Sequence, residues 1–187
     1  RNRDDQGRPL NPRGRTGLAG RGLLGLWGPN PSVAAIITRT GTSGDRVDIL
    51  LGMSKNSTDL ELPKGFVVPG ESTEDALRRV LKTETGWNLD VFRAARVFDG
   101  YVYDPRQTDH AWVEICAESV HSSFEQAETS FRPGGQFEDV RWYQLDPEAI
   151  NRIPSGQAKY VREAVRQFAD SGKLETAAAS ELLEKTG

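Results

Sequence analysis

Leu62-Pro63-Lys64-Gly65-Phe66-Val67-Val68-Pro69-Gly70-Glu71 runs straight into Ser72-Thr73-Glu74-Asp75-Ala76-Leu77-Arg78-Arg79-Val80-Leu81-Lys82-Thr83-Glu84-Thr85-Gly86-Trp87, and this junction decides the fold. The first segment reads as a glycine-rich loop, with Pro69 and Gly70 forming a turn. The second is a helix. Ser72 or Thr73 can cap its first turn, and Glu74 and Asp75 favour its positive end. Gly86 stops it, because glycine tolerates the left-handed conformation that closes a helix. Ala76, Leu77, Val80, Leu81 and Glu84 recur at three- and four-residue intervals and share one face. A carboxylate therefore ends an apolar stripe, and Glu84 is expected to point toward the interior or a cleft.

Working outward, the chain has 187 residues, which suits one domain with a substantial core. A net charge of -3 and a pI near 5.5 provide no general basic field, so nucleic acid is not an expected partner. The single cysteine, Cys116, rules out an internal disulfide and gives no sign of an oxidising compartment. It reads as a small buried hydrophobe within a strand. No apolar run approaches the roughly 20 residues that span a bilayer, so no direct membrane contact is expected. The expected setting is intracellular: cytoplasmic or mitochondrial. The chain starts at Arg1 rather than methionine, which suggests excision from something longer.

Three regions follow from composition: a basic arm over 1–32, the main domain over 33–170, and a tail or short helix over 171–187. In the arm, six arginines face Asp4 and Asp5, and repeated glycines forbid a long regular element. It reads as a strap anchored by Leu23, Leu24, Leu26 and Trp27, with a phosphate cradle as the alternative. Strand signals occupy 33–39, 47–53, 111–120 and 140–145, and 91–97 with 100–103 reads as one bent or bulged strand. Residues 41–45 read as a turn and 122–136 as a polar surface loop. Helical periodicity covers 157–169, and 174–184 reads as a second helix or a linker remnant. The expected class is α+β, an α/β/α sandwich with a mixed sheet.

The loop-helix resembles the signature of the Nudix superfamily, hydrolases of nucleoside diphosphates linked to another group. Gly65, Glu71, Arg79, Leu81, Glu84, Gly86 and Trp87 stand in register, whereas Val80 and Thr83 replace two glutamates. Beyond the box, Gly14-Arg15-Thr16-Gly17-Leu18, Trp27-Gly28-Pro29-Asn30 and Tyr103-Asp104-Pro105-Arg106 resemble one branch. It comprises the mitochondrial-type ADP-ribose pyrophosphatase and the homologous C-terminal domain of ADP-ribose-gated melastatin-type cation channels. The resemblance implies ADP-ribose as ligand, cleaved to AMP and ribose 5-phosphate with magnesium. It also implies that the arm helps to wall the site. On matching positions, Asp104, Arg106 and Asn11 contact the nucleotide, Lys64 and Gly65 lie beside the diphosphate, and Glu84 and Glu71 are the catalytic and Mg2+-holding carboxylates.

Two departures bear on turnover. Valine ligates nothing and threonine is a weak neutral ligand, so loss of two carboxylates predicts weak or substrate-assisted Mg2+ binding. Glu114 and Glu138 are further candidate carboxylates. Lys64 stands where the branch has glycine, and its charge could partly replace the metal's. His110 and His121 form no ligand pattern with Cys116, so zinc is not expected. Three readings remain open: a working ADP-ribose pyrophosphatase, a non-catalytic ADP-ribose sensor covalently part of a larger channel, and a hydrolase of another nucleoside diphosphate derivative.

Overall fold

The computed structural model describes residues 2–41, 46–91, 94–123, 127 and 130–186. Its elements run β1 (Gly28–Thr40), β2 (Val47–Ser54), β3 (Leu60–Glu61), β4 (Lys64–Phe66), α1 (Thr73–Thr85), β5 (Ala95–Val102), β6 (Ala111–Ser122), β7 (Phe137–Gln144), α2 (Pro147–Asn151), α3 (Ser155–Asp170) and α4 (Thr176–Lys185).

The apolar run Val33-Ala34-Ala35-Ile36-Ile37 explains the layering. Both faces of a strand without alternation must be covered. Ala34 and Ile36 pack on one side with Val161, Ala164, Val165 and Phe168 of α3. Val33, Ala35 and Ile37 pack on the other with Ala76, Leu77, Val80 and Leu81 of α1. The sheet lies between them as the middle layer of an α/β/α sandwich. β1 runs parallel to β6 from Gly28↔Ala111 to Arg39↔Ser122, while its other partners are antiparallel, so the sheet is mixed. The strand order is β3-β2-β1-β6-β5, with β4 on β1 and β7 on β2.

One edge of β1 changes partner along its length. Thr38 to Thr40 pair with β2, whereas Ser32 to Ala34 pair with β4. That splay brings the Lys64-Gly65 backbone onto the sheet and leads the chain into α1. The helix ends as its residues require. The Ser72 hydroxyl accepts the Asp75 N–H at 3.1 Å, and Gly86, at φ 75°, donates to the Lys82 carbonyl.

The structure redraws several expected elements. Three were not expected: the two-residue strand β3, β4 inside the supposed loop, and the single-turn helix α2. β1 starts at Gly28, inside the region assigned to the arm. The bent strand is β5, which begins at Ala95 and shifts register between Arg96 and Phe98. Of the turn at 41–45, residues 42–45 lie outside the described residues, as do 92–93, 124–126 and 128–129. The C-terminal segment is no loose remnant, since Ala179 and Leu182 of α4 are buried in the same core as α3. Of the four expected arm anchors, only Leu24 is buried; Leu23, Leu26 and Trp27 are exposed. The arm is held by polar contacts instead.

Candidate functional site

A cleft of about 510 Å³ opens where β4, the end of β5 and the start of α3 meet. Lys64 and Gly65 line it from β4, Asp104 and Arg106 from the segment after β5, and Gln157, Lys159 and Tyr160 from α3. Its charged lining is Lys64, Arg106 and Lys159 against Asp104, a net positive patch on a chain of net charge -3.

Asp104 and Arg106 form a two-pronged pair. Arg106 Nε donates to Oδ1 at 2.8 Å and Nη2 to Oδ2 at 2.6 Å, and the Arg106 backbone N–H also donates to Oδ1. The Arg106 side chain holds the Asp104 carboxyl below the usual carboxylate range, with Lys64 adding to the effect. The guanidinium carbon stands 5.0 Å from the centre of the Phe66 ring. Paired on one edge and stacked on a ring, Arg106 is a preset donor rather than a swinging one.

Behind this segment lies the arm. Asn11 is buried; its amide donates to the Thr108 carbonyl at 3.0 Å and its oxygen accepts the Arg13 N–H. The Asp109 carboxylate accepts N–H groups from Thr16 and Gly17, and the Thr16 hydroxyl at 3.0 Å. Gly22, at φ 61°, sits so close to Thr108 that an added Cβ would stand 2.8 Å from its methyl carbon. His110 accepts the Gly20 N–H at Nδ1 and faces Asp4 through Nε2. Asn11 thus faces a second cavity, of about 520 Å³, under the arm, and braces the loop that carries Arg106.

The two box carboxylates part company. Glu71 accepts Arg79 Nε at 2.8 Å and Nη2 at 2.9 Å, and the Val68 N–H at 3.0 Å. These bonds, that from Arg79 foremost, lower its pKa to about 2, and they tie the loop to α1. Glu84 is only 9% exposed at the end of the apolar face. Its Oε2 accepts the Gln136 N–H at 3.2 Å, and burial pushes its pKa upward, against the smaller opposing pull of that bond and of Lys64. The structure brings Lys64, Gly65, Asp104 and Arg106 together on the cleft; Glu71, Glu84 and Asn11 are not among the side chains lining it.

Val80 is core, 2% exposed, and packs on Gly65, where an added Cβ would stand 2.9 Å from Val80 Cγ2. Glu114 accepts Trp112 Nε1 at 2.9 Å, and Glu138 is exposed on β7. Among the described residues no three His, Cys, Asp or Glu side chains converge as a metal site. Of the two box carboxylates, Glu84 is the one not paired with Arg79, and it is the donor a divalent cation would use. Cys116 is half-buried rather than the buried residue expected, and burial foremost pushes its thiol up to about 11, which favours the protonated form.

Sequence reasoning missed Gln136, Gln157, Lys159 and Tyr160. The last three follow Pro154-Ser155-Gly156, whose helix-starting character is legible, but only folding brings that helix end to β4. It also missed Glu61 of β3, whose charge raises the pKa of Glu84 further.

The Glu71–Arg79 pair has a pH signature. The folded-state pKa of Glu71, about 2, lies below its ordinary 4.5, so the pair's contribution is full above the ordinary value and fades as pH falls toward 2. Urea midpoints of wild type and Glu71→Gln should differ most near neutral pH and converge in acid. A gap that does not change with pH would show that the carboxylate charge contributes nothing.

A mixed sheet between two helix layers carries a glycine loop that feeds a capped helix whose last turn holds a buried glutamate. The chain belongs to the Nudix family: residues 28–164 match the NUDIX domain, and residues 1–28 match the NUDT9-like, N-terminal domain. It is 32% identical over 177 residues to the mitochondrial ADP-ribose pyrophosphatase of Rattus norvegicus, covering 77% of this chain and 50% of that protein. It is 37% identical over 129 residues to transient receptor potential cation channel subfamily M member 2 of Mus musculus, covering 63% of this chain and 9% of the channel. The chain thus spans half or less of these curated relatives. The NUDIX domain of Shewanella oneidensis NrtR, solved with ADP ribose, shares the fold at a TM-score of 0.58 and 15% identity, over 84% of this chain and 93% of that one. No helix among the described residues is long and apolar enough to cross a membrane.

Proposed function

We propose that this chain binds ADP-ribose in the cleft between β4, the Asp104–Arg106 segment and α3, and hydrolyses it poorly. The observation that carries the reading is the cleft itself. It gathers Lys64, Gly65, Asp104 and Arg106 in one concavity of about 510 Å³ with surplus positive charge, suited to a diphosphate flanked by hydroxyl-rich sugars. Arg106 and Lys64 supply donors to phosphate oxygens, and Asp104 accepts from a ribose hydroxyl. The relationship to the ADP-ribose pyrophosphatase and to the channel supports the same ligand.

Nudix hydrolases as a class work with a divalent cation such as Mg2+. When bound, such an ion neutralises the phosphates and activates water. This chain offers it one buried carboxylate, Glu84, while Glu71 serves Arg79 and Val80 serves the core. Poor turnover follows from that donor set, and a sensor module of a larger channel protein is the second reading it favours. The arm acts in both readings as a brace for the Asp104–Arg106 loop, with residues 1–32 and 33–170 functioning as one unit.

Two readouts on one sample test this: calorimetric binding of ADP-ribose, and AMP release with Mg2+. The expected result is binding with slow AMP release. Rapid release abolished by Glu84→Gln would overturn the reading of poor turnover, and absence of binding would overturn the ligand.

A further inference from the structure

The segment Arg132 to Phe137 lies across the C-terminal end of α1. The Arg132 N–H donates to the Thr85 carbonyl at 2.9 Å and the Gly134 N–H to the Glu84 carbonyl at 3.1 Å, supplying partners that a helix end lacks. The Phe137 N–H closes a turn onto the Gly134 carbonyl at 3.0 Å, and the Gln136 N–H reaches the Glu84 side chain at 3.2 Å. Two glycines make the approach possible. A Cβ at Gly134 would run into the Thr83 carbonyl oxygen, and one at Gly135 would stand 2.6 Å from Glu84 Cδ and 2.7 Å from Oε2. Gly135 also has φ 57°, the left-handed region that side chains rarely adopt. The turn therefore lies flat on the carboxylate, and Gln136 is among the residues lining the cleft while Glu84 is not.

We propose that Gly135 is a positioning residue that withholds Glu84 from the cleft, so that cation access to the box carboxylate not paired with Arg79 is set by this turn as well as by the absent glutamates. The contact covers the carboxylate and gives one oxygen an amide donor. The positive charge of Lys64 also acts on that carboxylate and opposes a cation there. Any side chain at position 135 must displace either the turn or the carboxylate, and each movement breaks the contact. The withholding is thus a property of the turn's shape, separable from the box substitutions. The proposal takes Glu84 as the box carboxylate and needs no nucleotide.

The experiment measures Mn2+ binding by electron paramagnetic resonance on the full chain, comparing wild type, Gly135→Ala, Gly135→Asn and each variant combined with Glu84→Gln. Asparagine tolerates a left-handed backbone better than alanine, so agreement of the two separates contact from strain. Both single variants should bind Mn2+ about fivefold or more tightly than wild type, as for one added charge-assisted contact, and the gain should vanish with Glu84→Gln. Unchanged affinity in folded variants, or a gain that survives Glu84→Gln, would overturn the proposal. Should both variants fail to fold, hydrogen exchange at the Gln136 amide decides instead. It should be slow in wild type and faster in Glu84→Ala; fast exchange in wild type would show that the turn does not rest on Glu84. Neither readout contains ADP-ribose, so each fails or succeeds independently of the ligand reading.

Discussion

Val80→Glu combined with Thr83→Glu should raise Mg2+-dependent AMP release from ADP-ribose by about tenfold or more, since each ~1.4 kcal/mol recovered at the transition state is worth a factor of ten. A carboxylate at position 80 would replace a side chain that touches Gly65, which lines the cleft, and would lie one turn before Glu84. Position 83 is exposed, so a carboxylate there leaves the core undisturbed. The gain has a structural cost. Val80 is 2% exposed in the core beside Leu77 and Leu81, and an unpaired polar group there costs about 1–3 kcal/mol from protein mutational data. The double variant should therefore melt lower without Mg2+ and recover part of the difference with it. Steady-state AMP release over a Mg2+ titration, with Glu84→Gln as control, checks this. Flat turnover in a folded variant that still binds ADP-ribose would show that missing carboxylates are not what limits hydrolysis.

Arg106→Ala should weaken ADP-ribose binding by about 1–3 kcal/mol, roughly 5- to 150-fold in Kd, by removing a charged donor and stranding Asp104. The side chain is 42% exposed in the free protein, so its loss should barely move the melting temperature. Asp104→Ala should act in the same direction by a different route, because Arg106 is aimed by the two bonds it gives that carboxylate. Calorimetry of wild type and both variants under one buffer and salt concentration distinguishes them. Unchanged affinity in both would remove the pair from the binding site. A large fall in melting temperature would instead place it in the structural bracing that links this loop to the arm.

Local chemistry made much of the fold legible. The cap at Ser72, the stop at Gly86 and the stripe from Ala76 to Glu84 are statements about one helix, and a helix states its own periodicity. The unbroken apolar run after Pro31 likewise shows that both sides of the strand are covered. β4 was illegible, because Lys64-Gly65-Phe66 becomes a strand only through pairing with Ser32 to Ala34, some thirty residues upstream. α4 was half legible: 174–184 reads as a helix or a linker remnant, and what decides for the helix is α3, in whose core Ala179 and Leu182 are buried. The arm misled in detail. Its apolar residues drew attention, yet side chains such as Asn11 and Asp109 hold it, and their partners lie some ninety residues away.

The sequence by itself determined the Nudix scaffold and the loss of two box carboxylates, because spacing along one helix and identity at a position need no third dimension. What only the tertiary structure decided is where each remaining carboxylate is spent. Glu71 is drawn to Arg79 because the loop folds back on α1, and Glu84 is covered because two glycines let the segment before β7 lie against it. Both outcomes depend on contacts between segments distant in the chain, whose energies are set by burial and approach distance rather than by residue type.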